Sequence, residues 1–154
     1  MKNNFSINFD DETAMQQWVL ANTQCLRTGV ICYLEGDLGA GKTSFSRTLI
    51  QALGYHGHVK SPTYTLLEVY ELQELRVCHF DLYRLGEAEE LNYLGAEDYD
   101  DTGTLWLVEW PVRGAGYLPP ADLVISIEQS QERRVYSFTA RSPSGEKVIN
   151  CLQR

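Results

Sequence analysis

An eight-residue segment constrains this chain more than any other feature of its sequence. Residues 36–43 read GDLGAGKT and fit the pattern G-x-x-x-x-G-K-[ST], which is typical of a phosphate-binding P-loop. The glycines allow the backbone to turn tightly and to bring amide groups close to phosphate oxygens. Lys42 can reach the β- and γ-phosphates of a nucleotide, and the hydroxyl of Thr43 can bind Mg²⁺. The segment therefore predicts a nucleotide-binding loop.

The residues on either side of this loop have the patterns that a P-loop requires. Residues 30–34 form an apolar run, which predicts a buried strand. Residues 43–53 place apolar side chains near helical spacing, and Gly54 follows them. They therefore predict a helix that ends near this glycine.

The rest of the chain predicts an α/β fold. A helix capped by Asp10 and Asp11 is expected before the loop, and a short helix over residues 87–94 is expected to end near Gly95. Strands are expected over residues 64–70, 75–83, 104–110, 122–128, 134–140 and, as a further candidate, 147–152. The first two favour a hairpin. We expect one domain, residues 1–154, with a mixed central sheet that has an antiparallel portion.

The charge of the chain limits the partners that it can bind directly. Thirteen Lys and Arg residues stand against 21 Asp and Glu residues, which gives a net charge of −8. A protein that binds nucleic acid directly needs clustered basic residues. The charge therefore argues against direct binding to nucleic acid, and it leaves open binding to a protein that holds nucleic acid.

Cysteine usage and hydropathy indicate the compartment. The four cysteines lack metal-ligand spacing, and Cys32 and Cys78 fall in predicted strands, where we expect buried, reduced thiols. Residues 1–6 lack the apolar core of a signal peptide, and no apolar run approaches the length of a membrane span. We expect a cytoplasmic protein with no membrane contact.

Glu109 is the first candidate for chemistry beside the loop. It follows four apolar residues, 105–108, and so stands at the end of a predicted buried strand. An acidic residue in this place can hold Mg²⁺, directly or through water, or can orient an attacking water. The alternative is a strand-end carboxylate that faces solvent.

Asp81 and residues 61–65 are two further candidates. In a strand, His79, Asp81 and Tyr83 would share one face, which either presents polar groups to a site or simply faces solvent. Residues 61–65 read SPTYT, and Pro62 restricts the backbone around a cluster of hydroxyl groups. This segment either senses the nucleotide as a switch or leads into a strand with local hydroxyl caps.

The sequence favours ATP over GTP as the bound nucleotide. The chain has no Asn-Lys-x-Asp segment, which is the usual guanine-reading motif of GTPases. Spacing alone does not identify the contacts to adenine.

Four segments together resemble one family. GDLGAGKT at 36–43, SPTYT at 61–65, HFDLYR at 79–84 and LVEWP at 107–111 occur in the order and spacing of the TsaE (YjeE) family. This resemblance implies a three-layer, P-loop NTPase-like fold and an ATPase that helps to make the threonylcarbamoyl modification (t6A) on adenosine 37 of tRNAs that read codons starting with A. It also implies a complex with TsaB and TsaD, in which TsaD carries out the transfer and the partners hold the tRNA.

The resemblance also assigns roles to residues. Thr43 and Glu109 match Mg²⁺ ligands, and Asp81, Glu109 and Lys42 match residues needed for ATP hydrolysis. The implied nucleotide contacts are Glu12, Thr13, Gly36, Asp37, Leu38, Gly39, Ala40, Gly41, Lys42, Thr43, Ser44, Thr63, Thr65, Trp110 and Arg133. ATP hydrolysis to ADP is expected to be weak without partners and to reset the complex between turnovers.

Two other functions stay open at this point. A small-molecule kinase could use the same loop, with Arg84, Arg133 and Arg134 as the available basic residues for an acceptor site. A nucleotide-dependent binding module, in which the switch matters more than the chemistry, is the other. Product analysis with labelled ATP distinguishes the ATPase from the kinase.

Overall fold

The computed structural model describes residues 3–154, so residues 1 and 2 of the predicted domain lie outside the described residues. The strands are β1 (Asn4–Phe9), β2 (Ile31–Glu35), β3 (Leu67–Leu72), β4 (Leu75–Asp81), β5 (Thr104–Glu109), β6 (Leu123–Ser130) and β7 (Arg133–Ala140). The α-helices are α1 (Glu12–Ala21), α2 (Thr23–Leu26), α3 (Lys42–Ala52) and α4 (Pro143–Leu152). Short 3₁₀ segments occupy Ala88–Leu94, Ala96–Tyr99 and Pro111–Gly114.

The strands form one mixed sheet in the order β1-β7-β6-β2-β5-β4-β3. Its centre is parallel, because β2 pairs with both β5 and β6, and β4 pairs with β5 in the same sense. Its flanks are antiparallel: β3 pairs with β4 in the predicted hairpin, and β7 pairs with β1 and β6. The predicted mixed sheet with an antiparallel portion is confirmed.

The sheet separates two apolar cores, which makes the fold three-layered. On one face the α-helices cover a core that includes Phe45 and Leu49 of α3 and Leu107 of β5. On the other face the 3₁₀ segments cover a smaller core around Phe80 and Trp106, whose rings lie 4.8 Å apart. Strand β5 therefore buries both of its faces, as its continuous apolar run predicts, whereas β2 buries one face fully and the other in part.

The helices on either side of the loop have recognisable signals at their ends. Asp11 caps α1, since its carboxylate accepts a hydrogen bond from the amide of Ala14 at 2.8 Å. Helix α3 ends at Ala52, and Gly54 takes a φ of 119° just beyond it. Within residues 3–154, none of the helices has both the length and the apolar character needed to cross a membrane.

The strand predicted over residues 147–152 is wrong, because this segment belongs to helix α4. Ser142 caps the helix by accepting from the amide of Gly145 at 3.2 Å, and Pro143 occupies its first turn. Its buried residues follow helical spacing and pack on the face that also carries α3: Val148, Ile149 and Leu152.

The cysteines divide into a bonded pair and two free thiols. Cys32 and Cys78 are buried and unbonded, as predicted. Cys25 of α2 and Cys151 of α4 form a disulfide, with Cα atoms 5.5 Å apart and a sequence separation of 126. No sequence pattern predicts this bond, since only the fold brings the two helices together.

Candidate functional site

The loop between β2 and α3 has the backbone geometry of an anion site. A Cβ atom at Gly36 would lie 2.6 Å from the carbonyl oxygen of Ile127, so only glycine fits there without a shift of the loop. Gly41 takes a φ of 111° and leaves the start of α3 without a side-chain cap. The first amides of α3 are therefore available to an anion, which the helix dipole also favours.

Lys42 is buried inside the curve of this loop. Its Nζ atom donates to the carbonyl oxygens of Gly36 and of Asp37, the latter at 3.4 Å, and lies 3.8 Å from the centroid of the Trp110 ring. Burial lowers the pKa of the Lys42 ammonium, and the carboxylates nearby oppose that effect. Trp110 itself takes a left-handed φ of 58°, which is strained for a bulky residue and turns its ring over the loop.

Glu109 ends β5 beside the loop. Because β2 and β5 are parallel neighbours, their carboxyl ends meet at the edge of the sheet from which the loop departs. The Thr43 hydroxyl donates to Oε1 of Glu109 at 2.8 Å, and the Glu109 side chain is only 3% exposed. The structure therefore brings the two predicted Mg²⁺ ligands into direct contact, and it excludes the alternative in which Glu109 faces solvent.

Asp81 lies beside Glu109, since the two residues are partners in the parallel pairing of β4 and β5. Its Oδ1 atom accepts from the amide of Tyr83 at 3.1 Å. Burial raises the pKa of the Asp81 carboxyl group above its usual value. Two carboxyl groups with little exposure therefore stand side by side at the end of the sheet.

An open cleft of about 550 Å³ runs over this edge. Residues 38–44 of the loop and of α3 form one wall, and its other lining includes Thr63, Asp81, Glu109, Trp110 and Arg134. Ser61 and Thr63 bond to each other through their hydroxyls at 2.7 Å, in a turn that precedes β3. The loop, the acidic pair and Thr63 thus meet at one cleft.

Several predicted contacts lie outside this cleft. Thr65 is exposed and bonds to Glu68 at 3.1 Å, and Thr13 is exposed on α1. Glu12 lines a neighbouring cleft of about 410 Å³, which Ser44 and Arg134 also line. Gly36 and Asp37 line a third open space, of about 670 Å³, on another side of the loop. The loop therefore borders this space and the cleft over Lys42 and Thr43, and the cleft at the start of α1 adjoins the latter at Ser44.

Arg133 and Arg134 take different places at the start of β7. Arg133 is exposed and pairs with Asp10 at 3.0 Å. Arg134 lines both clefts and donates to the carbonyl oxygen of Gly39 in the loop at 3.3 Å. Strand alternation is the signal that could have selected Arg134, because it shares a face with Tyr136, which is buried on the α3 side.

His79 is a further residue of the site, and its sequence pattern alone assigns it no specific role. The structure buries His79 in β4, with its Nε2 atom 2.6 Å from Oε2 of Glu109. Strand alternation puts His79 on the same face as Asp81, and this pattern in the sequence could have marked it as a site residue. The contact with Glu109 is not visible in the sequence, because it depends on the pairing of β4 with β5.

Comparisons with known proteins identify the family of this chain. The family model described as "Threonylcarbamoyl adenosine biosynthesis protein TsaE" matches residues 9–136. A tRNA threonylcarbamoyladenosine biosynthesis protein TsaE of Haemophilus influenzae is 43% identical over 123 residues, which cover 80% of this chain and 78% of that protein. The TsaE of Rickettsia felis is 34% identical over 148 residues, covering 96% of this chain and 85% of the relative.

A solved structure agrees with the fold as well. The crystal structure of YdiB from Bacillus subtilis matches with a TM-score of 0.78 and 28% sequence identity, over 100% of this chain and 97% of that one. The predicted α/β architecture is thereby confirmed. Since the family model spans most of the chain and the relatives match along most of their own length, the chain belongs to the TsaE family.

Proposed function

We propose that this protein is a Mg²⁺-dependent ATPase that acts in the t6A modification of tRNA together with TsaB and TsaD. The observation that supports the proposal best is the bond between Thr43 and Glu109 beneath the loop. It joins the hydroxyl of a P-loop to a strand-end carboxylate, which is the pairing that P-loop NTPases use around their metal ion.

The loop is suited to hold the phosphates of ATP. Its amides at the start of α3 have no side-chain cap, and Lys42 is already held in the curve of the loop by carbonyl oxygens. Phosphate oxygens would replace these carbonyl oxygens as acceptors for the Lys42 ammonium group. The new hydrogen bonds would be stronger, because both partners carry charge. Arg134 adds a second positive charge from β7.

The donor set beside the loop fits Mg²⁺, which prefers oxygen ligands and few protein groups. Thr43 and Glu109 would hold the ion, directly or through water. When bound with ATP, Mg²⁺ supplies charge neutralisation at the β- and γ-phosphates. The Thr43 hydroxyl can donate a hydrogen bond to Glu109 and still offer a lone pair to a cation.

Asp81 is the residue that we assign to the attacking water. Its carboxyl group lines the cleft next to Glu109 and is not bonded to the loop. A carboxylate in this place can accept a hydrogen bond from water and orient it toward the γ-phosphate. We assign Asp81 to hydrolysis and the loop to binding.

The acidic charge of the chain fits a role inside a complex. With a net charge of −8, the protein is poorly suited to hold tRNA by itself. In the proposed assembly the partners hold the tRNA, TsaD carries out the transfer, and ATP hydrolysis in this subunit resets the complex between turnovers.

Replacement of the loop lysine tests the proposal. Lys42→Ala should lower phosphate release by about 10²-fold or more, as expected for loss of a buried positive group at the reacting phosphates. It should also stop multi-turnover t6A formation in a mixture with TsaB, TsaD and tRNA. Lys147→Ala is the matched control, because Lys147 is exposed on α4. Full multi-turnover modification with Lys42→Ala would contradict the proposal.

The same assay distinguishes hydrolysis from transfer to a small molecule. With ATP labelled at its γ-phosphate, the proposal requires that the label appear as inorganic phosphate. A labelled metabolite would instead favour the small-molecule kinase.

A further inference from the structure

His79 is a fully buried histidine whose two ring nitrogens have different surroundings. Its Nε2 atom lies 2.6 Å from Oε2 of Glu109. Its Nδ1 atom has no hydrogen-bond partner within residues 3–154. The ring therefore makes one polar contact, and that contact is to the carboxylate at the end of β5.

This contact defines the arrangement of hydrogen bonds around Glu109. The ionised form of a carboxylate only accepts hydrogen bonds, so toward that form of Glu109 the His79 ring donates from Nε2. Oε2 accepts from His79, and Oε1 accepts from the hydroxyl of Thr43 at 2.8 Å. Each oxygen of Glu109 thus has its own donor, one from β4 and one from α3.

Packing alone does not account for a histidine at this position. On this face of the sheet, apolar residues lie on one side of His79, namely Val77, Leu105 and Leu107, and the carboxyl groups of Asp81 and Glu109 lie toward the end of the strands. The sheet partner of His79 on β3 is Glu68. Burial of an imidazole with one unpaired nitrogen costs stability, whereas an aliphatic side chain would fill the space without that cost. The contact with Glu109 is what distinguishes histidine from an apolar residue here.

We propose that His79 is a positioning residue, which holds Glu109 in the orientation that turns Oε1 toward Thr43. Without it, the Thr43 hydroxyl would be the one remaining donor to the Glu109 carboxylate among those described here, and the pair that is suited to Mg²⁺ would be held less firmly in its geometry. The proposal rests on the proposed function, since it assumes that Thr43 and Glu109 hold Mg²⁺ with a nucleotide.

Two substitutions of His79, which introduce amide side chains of different length, test its contact with Glu109. The amide nitrogen of a glutamine can approach the position of a histidine Nε2 atom, whereas the shorter asparagine cannot. His79→Asn should weaken Mg²⁺ binding to the ADP-loaded protein by about 10- to 100-fold, the usual loss when a group that supports a metal ligand is removed. His79→Gln should recover much of that loss, and ADP affinity in EDTA should stay unchanged in both variants.

Titration calorimetry measures both affinities, and circular dichroism checks that the variants are folded. His58→Asn is the matched control, because His58 is exposed in the loop after α3. Equal Mg²⁺ affinity in His79→Asn and the unsubstituted protein would overturn the inference, as would equal losses in the two His79 variants. If the unsubstituted protein shows no Mg²⁺-dependent nucleotide binding, the proposed function fails instead.

A measurement on the unsubstituted protein decides the point even if neither variant folds. Nitrogen-15 chemical shifts of the imidazole report which ring nitrogen carries the proton. We expect the Nε2–H form for His79, with a slowly exchanging, downfield proton. The Nδ1–H form would overturn the inference, since Nε2 would then have no proton to donate to Glu109.

Discussion

Arg133 and Arg134 are adjacent in sequence and have different surroundings in the structure. Successive residues of a strand point to opposite faces of the sheet, so only one of the two can face the loop. Arg133 pairs with Asp10 in solvent, where an ion pair contributes little. Arg134 reaches the carbonyl oxygen of Gly39 and lines both clefts. Its place makes it the stronger candidate for a contact with nucleotide.

We predict that Arg134→Ala weakens ATP binding by about 10- to 100-fold, the usual value of a charge-assisted hydrogen bond to phosphate. Arg133→Ala is the matched control and should bind ATP as the unsubstituted protein does. Equilibrium dialysis with labelled ATP measures both affinities. A larger loss of affinity in Arg133→Ala than in Arg134→Ala would contradict the prediction, because it would mean that Arg133 is the arginine that contacts the nucleotide.

Asp81 allows binding and chemistry to be separated. Asp81→Asn keeps an oxygen that can accept from the amide of Tyr83, so we expect the turn after β4 to survive. Nucleotide affinity should change little, while hydrolysis should fall by about 10²- to 10⁴-fold, the usual contribution of a positioned carboxylate. Phosphate release under single-turnover conditions is the measurement, and exposed Asp100 provides the control variant Asp100→Asn. Unchanged hydrolysis would remove Asp81 from the site.

Among the elements, those with a clear local pattern were predicted well, and strand β1 and helix α4 were not. The loop, helix α3 and the β3–β4 hairpin depend on short patterns within a few residues. Strand β1 was not predicted, because it is partly exposed and pairs with β7, far along the chain. Residues 147–152 were predicted as a strand because their apolar content suits either structure, and the cap that specifies a helix lies outside that range, at Ser142.

The same reasoning applies to the site. Residue type and strand position were enough to single out Glu109 and Asp81. Three further features required the register of the folded sheet: the choice between Arg133 and Arg134, the contact of His79 with Glu109, and the separation of Thr65 from the cleft. Contacts between strands that are distant in sequence leave no local pattern, so the sequence alone could not supply these details.

The disulfide gives a prediction for helices α2 and α4. Cys25 and Cys151 close a loop of 126 residues, and a bond of this kind stabilises a protein mainly by restricting its unfolded chain. Cys151→Ser should lower the free energy of unfolding by about 2–4 kcal/mol without reductant. Denaturant titration measures this loss, and dithiothreitol should bring the unsubstituted protein close to the variant. Equal stability of the two proteins without reductant would contradict the prediction that the bond stabilises the fold.

At the scale of the whole molecule, the charge and the cleft point to different partners. The cleft concentrates Lys42 and Arg134 at the carboxyl ends of the parallel strands, which suits a nucleotide. The chain as a whole is strongly acidic, with 21 acidic against 13 basic residues. A tRNA backbone would therefore meet net repulsion over most of this protein, apart from a small basic region that ATP itself would occupy.

We therefore predict that the protein alone does not retain tRNA near physiological salt, with or without ATP. Binding by counterion release requires several basic groups along a phosphate backbone, and the affinity that they give falls steeply as salt rises. Fluorescence anisotropy of labelled tRNA, measured over a salt series, tests this directly. Addition of TsaB and TsaD should make the tRNA signal depend on those partners, and the control Lys147→Ala should behave as the unsubstituted protein. Tight, salt-dependent binding of tRNA by this chain alone would mean that it has a nucleic-acid-binding surface of its own. The proposal that the partners hold the tRNA would then be wrong.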